Sequence, residues 1–243
     1  MLARYVPASP EGVNLEVETR EGSAFVSLVG FQFQHCRVMG VPWPGHTDFA
    51  EVNLRFYVRT VSLGGAGGAA SQRGVVFIRE FVPKPIIAYV ARKFYNEPYL
   101  AAPCAARIAQ STSTISAEYS LTFGAPTPVE YTFRVEARKP VVRPDSKSVE
   151  HWFKEHRWGF GMLPPRRGGA PRGVAYEVIH PTWGIYPVER CEVKVDFAAV
   201  YGPDWGFLSG TEPANVVLAQ GSEVAVFPPR RALAVHWGMK SSS

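Results

Sequence analysis

The chain has 243 residues, 46% of them hydrophobic and 19% charged, with a formal net charge of +5. That balance excludes a disordered chain and supports a large core. A charge of +5 is too mild to specify a nucleic-acid partner. The 15 Phe, 10 Tyr and 6 Trp suit pleated surfaces, while 21 Pro and 22 Gly without a period imply many turns between short elements.

The opening run 1–10 lacks the apolar stretch of a secretory signal. No segment approaches the roughly 20 apolar residues that span a bilayer. Cys36, Cys104 and Cys191 are odd in number and far apart, which argues against a disulfide framework. The expectation is a cytoplasmic protein with no membrane partner.

In chain order, residues 23–38 read as a β-rich run broken only by Gly30, with both faces largely apolar, as in a central strand. Residues 51–59 (E-V-N-L-R-F-Y-V-R) carry the clearest alternation: Val52, Leu54, Phe56 and Val58 point one way, and Glu51, Asn53, Arg55, Tyr57 and Arg59 the other. The glycine-rich run 64–70 leads into another strand, 74–82, and so is a hairpin loop; a dinucleotide loop would open a helix. Pro83 and Pro85 stop the sheet, and Ile86, Ile87, Val90, Ala91 and Phe94 predict a helix over 84–95 packed across one side of it. Strands are predicted at 104–110, 112–123 and 130–138. A helix follows near 147–156, capped by Asp145 or Ser146, with Val149, Trp152, Phe153 and His156 on one face. A basic loop at 164–172 precedes strands at 173–180 and 185–197, and the tail 215–237 holds one or two more. No linker divides the chain, so the reading is one α+β, mostly β domain over 1–243.

Several segments, taken together, carry a resemblance. They are E-V-N-L-R-F-Y-V-R, G-V-V-F-I-R-E, F-Y-N-E-P-Y, S-V-E-H-W-F-K-E-H-R-W-G-F, V-I-H-P-T-W and N-V-V-L-A-Q-G-S-E-V-A-V-F. Their order resembles the YqjF-like family of uncharacterised bacterial proteins, related in fold to acetoacetate decarboxylase. The resemblance implies a twisted antiparallel β-barrel or cone with two or three helices around an internal pocket. It says more about fold than about function. The decarboxylase forms an imine on a lysine; the matching stretch here, F-Y-N-E-P-Y-L, places Tyr99 and Leu100 there, and neither can form one. The resemblance therefore implies no Schiff-base decarboxylase activity. Lys84 and Lys93, the nearest lysines, lie between prolines and on the helix's polar side.

The polar face of 51–59 has two readings. Facing a cavity, Arg55 and Arg59 would grip a carboxylate through paired hydrogen bonds, with Glu51 or Glu80 balancing charge and Tyr57 donating. Facing water, it is a solvated surface with weak ion pairs. On the first reading both arginines should be buried and each paired with a carboxylate or a bound anion.

Glu97, Glu155 and His180 are the general acid–base candidates, with Glu97 and His180 placed to converge at a pocket mouth. Glu155 belongs on an exposed helix face beside Lys154. His151 and His156 are five apart, on different helix faces, and no compact metal-ligand spacing occurs, so no metal or cofactor is expected. The basic loop and the pair Arg230 and Arg231 read as solvated. The leading expectation is a protein that binds a small organic acid inside a β-cone. A lyase or hydrolase using Glu97 and His180, and a structural or partner-binding domain, remain alternatives. Whether the chain forms a homo-oligomer is left open.

Overall fold

A computed structural model describes residues 1–11, 13–37, 40–62, 71–124, 128–163 and 172–230. The glycine-rich run 64–70, the basic loop apart from Arg172, and Arg231 lie outside the described residues. The strands are β1 (Val13–Val17), β2 (Thr19–Arg20), β3 (Ser23–Ala24), β4 (Val26–Phe33), β5 (Phe49–Ser62), β6 (Arg73–Val82), β7 (Tyr99–Ala101), β8 (Cys104–Gln110), β9 (Thr114–Leu121), β10 (Tyr131–Arg138), β11 (Trp158–Leu163), β12 (Arg172–Ile179), β13 (Ile185–Tyr186), β14 (Val188–Val195), β15 (Leu218–Ala219) and β16 (Ala225–Val226). The α-helices are α1 (Pro85–Val90), α2 (Val149–Lys154) and α3 (Phe197–Tyr201), and α1 continues as a π-helical turn over Ala91–Tyr95. Among the described residues no helix is long and apolar enough to cross a membrane.

β5 is the longest strand, at 14 residues, and it organises the larger sheet. β4 pairs with its first half, β1 with its second half, and β6 runs along its other edge. The order β1-β5-β6-β11-β12-β16 is extended by β4 on β5 and β7 on β6. A second sheet has the order β14-β10-β9-β8. The protein is thus α+β and mostly β. The sheet is not wholly antiparallel: β6 pairs in parallel with β7 and with β11. The first of these pairings arises because α1 and its π turn carry the chain back across the sheet before β7 begins.

The alternation of β5 divides the structure. Its even-numbered side chains from Ala50 to Val58 are buried: Phe56 and Val58 pack with Val76, Phe160 and Ala175, and Ala50, Val52 and Leu54 face the second sheet. There they join Phe81, Tyr119, Tyr131, Phe133 and the α3 side chains Phe197, Val200 and Tyr201 in the main core. Each such side chain contributes roughly 1.5–3 kcal/mol of transfer free energy. Gly30 of β4 belongs to this layer, because a Cβ there would come within 2.6 Å of the Phe133 and Tyr119 rings. The one breaker in the predicted run 23–38 is a point of close approach.

The odd-numbered face of β5 is covered from its two ends. Phe49 and Val82 pack under Ala88 and Ile87 of α1. Tyr57 and Val75 pack under Trp152 and Phe153 of α2. The predicted apolar stripe of the first helix holds only in part: Ile86 is 44% and Phe94 55% exposed. A π turn carries more residues per turn than an α-helix, so the side chains after Val90 rotate out of phase with the stripe. α2 is capped by Ser148, whose side chain accepts from the His151 backbone N–H; the cap predicted at Asp145 or Ser146 falls two or three residues early.

Candidate functional site

The odd face of β5 presents Glu51, Asn53, Arg55, Tyr57 and Arg59 in turn. Only the last is exposed. Glu51 is 1%, Asn53 0% and Tyr57 1% exposed, and Arg55 is half-buried. The reading of this face as a solvated outer surface therefore fails for all but its end.

At the Glu51 end, three carboxyl groups converge. Asn53 lies opposite Glu80 across the β5–β6 pair, and Glu80 lies opposite Tyr99 across β6–β7. Register alone thus brings the three side chains to one face. Asn53 Nδ2 donates to Glu51 Oε1 at 3.0 Å, and the Tyr99 hydroxyl donates to Glu51 Oε2 at 2.7 Å. The third carboxyl, Glu97, follows the π turn and Asn96, whose left-handed backbone (φ 55°) ends the helix. The Asn96 side-chain amide donates to the Met162 carbonyl and ties this corner to β11. π turns of this kind often mark functional sites. The Tyr176 hydroxyl of β12 bonds Glu97, and its ring occupies space that a Cβ at Gly159 would fill.

Burial sets the ionisation of these groups, since a carboxylate out of water loses its solvation. Glu51 is pushed up to about 7 by desolvation, against the opposing pull of the Tyr99 and Asn53 hydrogen bonds. Glu97 is pushed up to about 8 by desolvation, with the Tyr176 hydrogen bond opposing. Glu80 is raised well above the usual carboxylate range, first by desolvation and then by the charges of Glu51 and Glu97. The cluster holds protons that exposed carboxyls would have lost near neutrality. It also leaves acceptors without partners: Asn53 Oδ1, Glu80 Oε2 and Glu97 Oε1 are buried and unbonded among the described residues.

Arg55 stands between this cluster and the Tyr57 end. Its charge lowers Glu51 on one side and His156 on the other. Its guanidinium carbon lies 6.0 Å from the Tyr57 ring centroid. Nε is buried and lacks a hydrogen-bond partner among the described residues. The pairing expected with Glu51 or Glu80 as a direct salt bridge is not formed, because those carboxyls bond each other, Tyr99 and Asn53. Arg59 departs further from expectation: its side chain is 52% exposed and meets Glu16 of β1 at 3.5 Å, so it does not join the stripe. Tyr57 directs its hydroxyl to Ser27 Oγ at 2.6 Å, Ser27 lying opposite Arg55 on β4.

Beyond Tyr57 the stripe ends in a buried network. His156 Nε2 lies 2.8 Å from Glu18 Oε2, and Arg73 Nε donates to Glu18 Oε1 at 2.6 Å. The His156 ring packs 4.5 Å from Tyr57 and 4.8 Å from Trp152. Desolvation lowers His156, with Arg73 adding to it, whereas the His156 and Arg73 hydrogen bonds hold Glu18 down in spite of its own burial. A neutral imidazole donating to an ionised Glu18 fits both shifts.

His180 does not meet Glu97. Its Nδ1 lies 2.8 Å from the Pro181 carbonyl and its ring stacks on Trp183 at 4.0 Å. Glu155, expected on an exposed helix face, is instead largely covered and paired with Lys154 at 3.2 Å, itself buried. The aromatic cover that α2 lays on β5 draws this end of the helix inward. Among the described residues no group of three His, Cys, Asp or Glu side chains is placed to hold a metal ion. An open cleft bordered by Thr112, Lys139 and Tyr186 lies elsewhere, and its lysine already donates to Gln110 and the Ser111 carbonyl. Sequence reasoning named Glu51, Arg55, Tyr57, Glu80 and Glu97. It placed Asn53 on the same face without a role, and it missed Tyr176, Glu18, Arg73 and His156 as members of one buried stripe.

This arrangement belongs to an α+β domain of unassigned chemistry. The chain is a member of DUF2071, a family described as an uncharacterized conserved protein, which it matches over residues 1–223 and which the order of its sequence segments resembles. No curated protein matches the sequence. Among solved structures the chain is similar to acetoacetate decarboxylase (ADC) from Legionella pneumophila subsp. pneumophila str. Philadelphia 1, at 11% identity and a TM-score of 0.40, over 93% of this chain and 85% of that one. A second acetoacetate decarboxylase structure is similar at 11% identity and a TM-score of 0.38, over 93% of this chain and 92% of that one.

Proposed function

We propose that the protein binds a small organic anion at Arg55, beside the Glu51, Glu80 and Glu97 cluster, without imine chemistry. The observation that carries this reading is the buried Arg55 Nε with no partner among the described residues. A desolvated guanidinium N–H is costly to leave unbonded, and a carboxylate or similar oxyanion satisfies it through two parallel hydrogen bonds. Arg55 also occupies the interval along β5 between the residues under α1 and those under α2. The imine-free character is supported by Tyr99, whose hydroxyl is committed to Glu51, and by Leu100 beside it.

A second reading, an enzyme of the lyase or hydrolase class, is favoured by the burial of Glu97, which pushes its carboxyl up to about 8, the range suited to a general acid–base at neutral pH. On this reading Glu97 works with Glu51 and Glu80 and not with His180, which is held by Pro181 and Trp183.

Thermal shift in formate, acetate, propionate, pyruvate and succinate tests the anion site. The melting temperature should rise in a saturable way with at least one acid, and Arg55→Ala should abolish the rise. Arg55→Lys should fail as well, since an ammonium cannot reproduce the planar two-bond grip. An equal rise in wild type and Arg55→Ala would reject Arg55 as the anchor.

A further inference from the structure

We infer that the ligand of this site is a short amino acid or other small zwitterion, its acid end on Arg55 and its ammonium between Asn53, Glu80 and Glu97. The inference rests on the anion site proposed above and extends it to the other half of the stripe. The unpartnered atoms sort by type along the strand. At Arg55 the unbonded atom is a donor, Nε; toward Glu51 the unbonded atoms are the acceptors Asn53 Oδ1, Glu80 Oε2 and Glu97 Oε1. Asn53 carries no charge of its own and is 0% exposed. Its amide nitrogen is spent on Glu51, which leaves its oxygen as a bare acceptor on the face it shares with Glu80. A buried amide oxygen without a donor is expensive, and neither a carboxylate nor a halide can satisfy it.

Charge points the same way. Glu51, Glu80 and Glu97 face one another, with Tyr99 from β7, Tyr176 from β12, Cys104 from β8 and Arg55 as their surroundings. Burial favours the protonated form of all three, and an ammonium set among them brings three N–H donors and the charge that lets them ionise. Residues 53 and 55 lie about 7 Å apart along the strand at the usual rise, a span that β-alanine or 4-aminobutyrate bridges together with the hydrogen bonds made at each of its charged ends.

The zwitterion and the simple acid differ in the sign of their proton exchange. An ammonium beside carboxyls that burial keeps protonated drives them to ionise, so binding releases protons to the buffer. A simple carboxylate raises the same groups further and takes protons up.

The experiment is calorimetric titration at about pH 7.5 in two buffers of different ionisation enthalpy. The probes are β-alanine and 4-aminobutyrate, the matched acids propionate and butyrate, and propylamine. An amino acid should bind at least about tenfold more tightly than its matched acid or than propylamine, with net proton release. Glu80→Gln and Glu97→Gln, near-isosteric changes, should each bring that preference to within about twofold and abolish the release. If the acids bind as well as the amino acids and take up protons, the ammonium half is wrong and the anion site stands. If neither acids nor amino acids bind, the anion site fails and this inference fails with it.

Discussion

Three carboxyl groups in contact, out of water, cannot all ionise near neutral pH. Glu51 and Glu97 are displaced to about 7 and about 8, and each displacement has a consequence for folding. A group whose pKa is raised in the folded protein contributes fully below its unfolded value, near 4.5 for Glu, and loses that contribution as pH climbs through the folded value. These residues should therefore make the fold less stable between about pH 4.5 and pH 8, the reverse of an ordinary salt-bridged carboxyl. Glu97→Gln removes one such group. Urea denaturation should show the variant close to wild type at about pH 5 and more stable by on the order of a few kcal/mol at about pH 9. A pH-independent difference would mean that Glu97 is not held protonated. Glu18 works in the opposite direction: its lowered pKa stabilises the fold above the unfolded value, and that part is lost as acid protonates it.

At the scale of elements, α2 is the cover whose contribution is simplest to isolate. It is six residues long, too short to persist alone, and it is held by the Ser148 cap and by Trp152 and Phe153 against Tyr57. Ser148→Ala should cost about 1 kcal/mol in chemical denaturation, with most of the loss appearing as faster amide exchange in α2. A variant indistinguishable from wild type would show that packing alone sets the helix.

Elements differ in how far the sequence reveals them, and the reasons are physical. The strand predicted at 51–59 is the middle of β5, because period-two alternation survives even where both faces are buried. β8 at 104–110 and the strand at 74–82 were equally legible. β7 and β11 were not: three residues are too few for a pattern, and W-G-F-G-M-L mixes glycines into both faces. The π turn leaves no mark in the sequence, so the helical spacing places Phe94 on the wrong side of its helix. The candidate site divides similarly. Glu51, Arg55 and Tyr57 share a strand and could be read from parity, whereas Tyr176 and His156 arrive from segments more than 75 residues away through pairings that no local pattern encodes.

Across the whole molecule, one long strand separates two environments. The even face of β5 closes dry cores, against the second sheet at Ala50, Val52 and Leu54 and against β6, β11 and β12 at Phe56 and Val58, and its odd face carries a polar stripe under two short helical covers. The stripe is anionic toward α1, ends in the Glu18–Arg73–His156 network toward α2, and has a single half-buried arginine between them. The account depends on that arginine meeting a ligand. The most direct measurement is the NMR signal of the Arg55 Nε–H group, identified by its loss in Arg55→Lys, during titration with propionate and β-alanine. The account predicts a saturable shift of this resonance, with slowed hydrogen exchange, as Nε gains the partner it lacks. A resonance that stays unmoved while either probe binds elsewhere on the protein would contradict it.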